Sequence, residues 1–310
     1  MKKTEINAPV NGKTPELRND MSIRLAAHVS FKFYYSNMLW NEKGTLEDND
    51  PEFLHYLRVS SKRLRVALST FRPYFRKREI NYFKNEAKLL APVLGKVRDI
   101  DVYLKFLNNE ALPAMSPDER KILKNHIDSL TASRNEFQKD AVRKIKSARH
   151  RRFKDKLQRF LDKKPASYNV KSTSHLNRMC RKEILEGIDS LMKSSLDLSS
   201  KSGDHRLHKF RIKCRKIRYK LEMFLSLLGE NGMKADRKII EMQNALGGHH
   251  DSVTASKKLK DYMCTNPKLK DAHAITKLKI IQMKRAAGFK RKFFCKLRKT
   301  RKIRRLLTEN

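Results

Sequence analysis

An all-α fold built on an internal repeat follows from three features of this 310-residue chain. Apolar residues recur at helical spacing along nearly its whole length. Glycine (10) and proline (9) are scarce, which disfavours all-β and Gly-rich nucleotide-binding architectures. Four helical stretches, a polar linker and four more stretches then succeed one another.

The chain divides into a flexible N-terminus (1–15), a first half (16–150), a linker (151–172), a second half (173–290) and a basic C-terminal arm (291–310). In the first half the spacing predicts helices near 16–41, 51–72, 76–110 with a break at Pro92, and 117–148. In the second half it predicts helices near 173–196, 204–228, 232–264 with a break at Gly247-Gly248, and 269–290. Asn-Asp-Pro at 49–51, the Pro113–Pro117 segment, Pro165, Gly203, Gly229 to Gly232 and Pro267 punctuate them.

Charge is the dominant compositional signal. The chain has 72 Lys+Arg against 33 Asp+Glu, and 72 − 33 gives +39, while 39% apolar residues suffice for a core. Self-repulsion on this scale calls for a polyanionic partner: nucleic acid, an anionic membrane surface or a phosphate polymer. No apolar run approaches the ~20 residues of a membrane span. The opening MKKTEINAPVNGKTPE lacks a signal peptide's apolar stretch, so a cytoplasmic location is expected. Cys180, Cys214, Cys264 and Cys295 are irregularly spaced and read as reduced core residues rather than a zinc site.

The repeat is explicit. LHYLRVSSKRLRVALSTF (54–71) matches LHKFRIKCRKIRYKLEMF (207–224) at an offset of 208 − 55 = 153. LGKVRDIDV (94–102) matches LGGHHDSVT (246–254) at 246 − 94 = 152. At ~100° per residue, His55, Arg58, Lys62 and Arg65 share one edge of a helix whose neighbouring stripe is apolar. His208, Arg211, Arg215 and Arg218 repeat that edge. Like charges at this spacing disfavour a helix and are normally interleaved with acids. Here they are not: residues 54–78 hold eight Lys/Arg and no acid, and residues 205–221 hold no acid. Facing one another, two such stripes would make a channel of positive potential. Arginine would supply a fork for phosphate oxygens, lysine a point charge and histidine a donor that phosphate helps to protonate between pH 8 and 6.

H-x-x-R-[VI]-x-x-[KR]-[KR]-[LI]-R followed by L-G-x-x-x-D, occurring twice in a helical chain, resembles the CHAD family (conserved histidine α-helical domain). The resemblance runs from about residue 20 to about 290. It implies two four-helix bundles related by a pseudo-two-fold axis, with a basic groove between them that binds inorganic polyphosphate. By motif it marks His55, Arg58, Lys62, Arg63 and Arg65 in the first half, and His208, Arg211, Arg215, Lys216 and Arg218 in the second. Arg63 and Lys216 lie about 100° or more round the helix from the first histidine. Arg98 is replaced by His250 and Asp101 by Val253 in the second repeat, so the loops should contribute unequally. Helical spacing alone adds Arg24, His28, Lys32, Arg178, Arg181 and Lys182 as further candidates for the groove.

No catalytic constellation stands out. There is no phosphate-binding glycine loop. Glu52-x-x-His55 has the spacing of a di-iron ligand pair but lacks a second copy. His249-His250-Asp251 lacks partners for a metal-dependent hydrolase, and Asp99 and Asp251 read as helix N-caps or braces for groove arginines. The expectation is therefore a non-catalytic polyphosphate-binding module without metal or cofactor, associated with cytoplasmic polyphosphate granules. The alternative is a single-stranded RNA or DNA binder using the same surface. Residues 284–307 add twelve Lys/Arg and no acid. That arm could extend the last helix, lie on anionic lipid, bind nucleic acid or fray into solvent.

Overall fold

The computed structural model describes residues 14–48, 50–163, 165, 173–265, 273–299 and 303–308, and all regular structure among them is helical. α1 (Ile23–Glu47) starts at Ser22, whose hydroxyl accepts from Leu25 N at 3.2 Å. The segment before it is extended rather than helical, and buries Leu17 and Met21. Residues 1–13 of the expected flexible terminus lie outside the described residues. α2 (Pro51–Phe71) opens with Asp50 as N-cap and a proline in its first turn, both of which suit a helix start. α3 (Lys77–Lys88) and α4 (Ala91–Phe106) are separated ahead of Pro92, and α5 (Pro117–Lys146) starts on a Ser116/Glu119 capping box.

The expected linker at 151–172 begins as a helix. α6 (Ala148–Asp162) buries Phe153, Leu157 and Leu161, one side chain per turn, so that packing overrides the polarity of its other faces. Residues 164 and 166–172 lie outside the described set. α7 (Thr173–Leu196) and α8 (Asp204–Thr265) follow. α8 breaks at Gly229 (φ 59°, ψ −149°), within the expected Gly229 to Gly232 punctuation, but not at Gly247-Gly248, the other expected break. Gly248 instead lets α9 approach: a Cβ there would stand 2.5 Å from the Phe289 ring.

α9 (His273–Lys299) and α10 (Ile303–Thr308) account for most of the basic arm, which is anchored rather than frayed. Phe293 is fully buried against Phe210, with ring centroids 5.6 Å apart, and Ile303 and Leu307 are buried where α10 packs on α7 and α8. Cys180 and Cys214 are core residues as expected, whereas Cys264 and Cys295 are exposed. No described helix is long and apolar enough to cross a membrane.

One continuous core runs from Leu17 to Leu307 and includes both repeated apolar stripes: Leu54, Leu57, Leu64, Leu68 and Phe71 with Leu207, Phe210, Cys214, Ile217, Leu221 and Phe224. α2 packs against α8, and there the fully buried Phe71 and Phe224 rings meet edge-on at 5.9 Å. A smaller cluster joins the far end of α4 and the start of α5 to α8 and α9. Phe71→Ala should therefore destabilise the whole protein by about 3–5 kcal/mol. Urea unfolding followed by circular dichroism should show one cooperative transition at a lower midpoint; an unchanged midpoint would mean that the two halves do not share this core.

Candidate functional site

The α2–α8 crossing decides where the basic stripes go. Because the Leu/Phe stripes of both helices enter the common core, the adjoining edges are carried to the same place. Lys62 feels the charges of Arg58, Arg215 and Arg211, while Arg58 and Arg65 both feel Arg215. His55, Arg58, Lys62, Arg65, His208, Arg211 and Arg215 are all half-buried. α4 and the α8 segment after Gly229 add Arg98 and His250. His250 stands against His208, with ring centroids 4.8 Å apart, and close to Arg211.

Burial among like charges leaves a titration signature. Desolvation, reinforced by Arg58, Arg215 and Arg211, pushes Lys62 down to about 6. His55 falls to about 4 through burial and the Arg98 charge, and His250 to about 4 through burial and Arg211. His208 is lowered by burial and Arg211. The guanidiniums of Arg58, Arg65 and Arg215 are also shifted down by burial but stay charged at physiological pH. Burial thus lowers these histidines in the free protein, whereas the expectation that they gain protons between pH 8 and 6 concerns the phosphate-bound state. Lys62, not a histidine, is the group poised near neutrality.

Buried polar atoms normally have partners. In the cluster His55 Nδ1, Arg58 Nε and Arg65 Nε, with His208 Nδ1 and Arg211 Nε, are buried without a hydrogen-bond partner. His55/His208 and Arg58/Arg211 are matched positions of the 153-residue repeat. The acids nearest these arginines are Asp99, beside Arg58, and Asp251, beside Arg211. Both lie inside helices, which removes the N-cap reading and leaves that of braces. Lys258, which sequence spacing did not mark, donates to the Asp99 carbonyl at 3.0 Å and stands 5.3 Å over the Tyr103 ring.

Other candidates are held elsewhere. Arg63 and Arg218 both bind Glu222, at 2.8 and 2.7 Å, forming a buried triad beneath Tyr219 and beside Asp236. Arg65 and Arg218 are equivalent in the repeat but meet different fates. Glu222 lies one turn after Arg218, whereas the corresponding residue after Arg65 is Ser69. Lys216 is exposed outside the cluster. Arg98 is paired with Glu52 at 3.0 Å, which also gives the Glu52-x-x-His55 spacing a structural role. Arg24 donates to the Tyr74 carbonyl at 3.2 Å, and His28 sits near Lys32 and Asp162. Arg178, Arg181 and Lys182 are exposed on α7, with Lys182 near Glu186. His249 is buried between the Ala286 carbonyl and Asp204, each at 3.0 Å. No group of three or more metal-ligating side chains occurs among the described residues.

Fold and cluster together define an all-helical protein with an uncompensated cationic site where two repeated helices cross. The chain belongs to the CHAD domain family, whose model matches residues 31–260. The crystal structure of the CHAD domain from the plant Ricinus communis is similar over 94% of this chain and 97% of that one, with a TM-score of 0.73 at 22% identity. PptA from Streptomyces chartreusis is similar over 89% of this chain and 99% of that one, with a TM-score of 0.68 at 18% identity. A comparison with curated proteins returned no match.

The depressed Lys62 and His55 each contribute to the pH dependence of stability. In the unfolded chain these groups keep their ordinary affinities near ~10.4 and ~6.5. In the window between each folded value and its ordinary one, the unfolded state binds more protons. Stability therefore rises with pH from about 4 to 6.5 through His55, and from about 6 upward through Lys62. The thermal midpoint of the ligand-free protein should climb between about pH 5 and pH 8, and much less so for Lys62→Met. A midpoint that falls across that range would contradict this electrostatic picture.

Proposed function

We propose that this protein binds inorganic polyphosphate, without turning it over, in the cationic cluster between α2 and α8. One observation carries the proposal: repeat-matched histidines and arginines converge half-buried, with buried nitrogens lacking partners. A linear polymer bearing oxygens on every unit offers what these groups lack. Each phosphate supplies acceptors for guanidinium and imidazole N–H and a charge that relieves the repulsion among them. Family membership supports the same reading, because CHAD domains are associated with polyphosphate. Association with cytoplasmic polyphosphate granules belongs to this proposal.

Nucleic acid is the rival polyanion. A single strand is held by phosphate charge plus bases stacked on aromatic rings. Phe71, Phe210 and Phe224 are spent in the core, Tyr219 is buried, and beside the cluster only Tyr56 is half-exposed, next to His55. A ligand without bases fits this surface better.

Arg58→Ala combined with Arg211→Ala should weaken polyphosphate binding by at least about a hundredfold, since each lost charge-assisted contact costs on the order of 1.5–3 kcal/mol. The thermal midpoint should stay level or rise, because the change removes like-charge repulsion. Reversing three exposed α9 cations (Lys284, Arg291 and Arg298 to Glu) alters net charge more but should weaken binding less. Fluorescence anisotropy with labelled long-chain polyphosphate, beside thermal unfolding, checks both. A larger loss in the α9 variant at equal folding would make bulk charge the determinant. Orthophosphate release during incubation would overturn the non-catalytic part.

A further inference from the structure

A second cavity adjoins the cluster, a cleft of about 370 Å³ between α8 and α9 that shares Asp204, His249 and Val253 with the small pocket lined by His208 and His250. The α8 wall is one helical stripe, His249, Ser252, Val253 and Ser256, with Lys257 at its edge. The α9 wall is Lys279, Met283 and Ala286, again one turn apart. The repeat shows how the cleft arises. At the 152-residue offset His249, Ser252 and Ser256 correspond to Val97, Ile100 and Leu104 of α4. In the first half Val97 and Ile100 are buried where α4 packs on α5. The second half has exchanged an apolar packing stripe for small hydroxylated residues, and the space their bulk would fill stays open. Protein interiors are otherwise close-packed, so such a gap forfeits contacts unless something occupies it.

The chemistry of the walls selects the occupant. His249 has an acceptor at each ring nitrogen, the Ala286 carbonyl and an Asp204 carboxylate oxygen. Both ring nitrogens are thus engaged within the protein and are not available to a ligand. That leaves Lys257 and Lys279, which have no hydrogen-bond or ion-pair partner among the described residues, and the free hydroxyls of Ser252 and Ser256. Two ammonium groups and two hydroxyl donors suit a phosphate. Val253, Met283 and Ala286 give the remainder of the cleft an apolar surface, which a bare oxyanion would leave unused. The volume falls in the ~300–1,000 Å³ range of small-molecule sites.

We propose that the α8–α9 cleft binds a small organic phosphate of mononucleotide size, its phosphate on Lys257 and Lys279 and its apolar body against Val253 and Met283. Neither Arg58 nor Arg211 lines this cleft, so the proposal stands whether or not the cluster binds polyphosphate. Fluorescent N-methylanthraniloyl-ADP, titrated into the full chain, is the probe. Lys257→Ala with Lys279→Ala should weaken binding at least tenfold, whereas Arg58→Ala with Arg211→Ala should leave it within about twofold. Unlabelled ADP should displace the probe, and pyrophosphate at the same concentration should not. Restoring the first-repeat residues, Ser252→Ile with Ser256→Leu, should abolish binding and raise the thermal midpoint by about 2–4 °C as the gap fills. No binding at millimolar probe would overturn the proposal. So would loss only in the arginine variant, which would place the probe in the cluster. Displacement by pyrophosphate as effective as by ADP would overturn it as well, by making the apolar wall irrelevant.

Discussion

Everything distinctive in this molecule depends on bringing like charges together, half out of water, where α2 crosses α8. Desolvating a cation is costly, and proteins ordinarily offset it with an acid at hydrogen-bond distance. Elsewhere this chain does so. Arg134 is clamped by Asp48 and Asp101, Arg149 by Glu86, His150 and Lys154 by Glu42, and Arg63 and Arg218 by Glu222. At the crossing Arg58, Lys62, Arg65, Arg211 and Arg215 have no such clamp among the described residues, although the fold demonstrably can build one. The difference is what supports the proposal that the cluster receives an external anion.

The cost is carried by the core beneath. Leu54, Leu57 and Leu64 on one helix, and Leu207, Phe210 and Ile217 on the other, are buried along the helix flanks that adjoin the cations. Phe71 against Phe224 closes the crossing at its far end. Apolar burial on that scale holds the helices in register whether or not the repulsion above is relieved. On the proposed function, a bound polyanion meets a preformed surface, discharges the repulsion and raises the depressed Lys62 back toward its charged state.

The sequence displays the two stripes because helical periodicity and the repeat register are both local arithmetic, and the structure brings Arg58, Lys62 and Arg65 near Arg215, with Lys62 also near Arg211. Three things were masked. The fate of Arg218 turns on Glu222, an acid four residues on that also recruits Arg63 from the other half, a contact no local pattern contains. The expected break at Gly229 to Gly232 is present, at Gly229 with its positive φ, but the Gly247-Gly248 pair that looks like a second breaker stays helical under Phe289. The basic arm and the polar linker hide single apolar residues per turn, Phe293, Ile303 and Leu307 in one and Phe153, Leu157 and Leu161 in the other. Those few side chains suffice to seat helices whose composition suggests solvent. His250 was visible only as a departure at the Arg98 position, yet it joins the cluster beside His208.

Proton uptake on binding tests most directly whether polyphosphate enters the desolvated cluster. Calorimetric titration of long-chain polyphosphate at neutral pH, repeated in buffers of different ionisation enthalpy, counts the protons taken up. Free Lys62 is largely deprotonated there, and a bound anion restores its charge, so the expected result is uptake approaching one proton for the natural chain and markedly less for Lys62→Arg. Binding with no proton uptake in the natural chain, or equal uptake in both, would contradict the assignment of the polymer to this cluster.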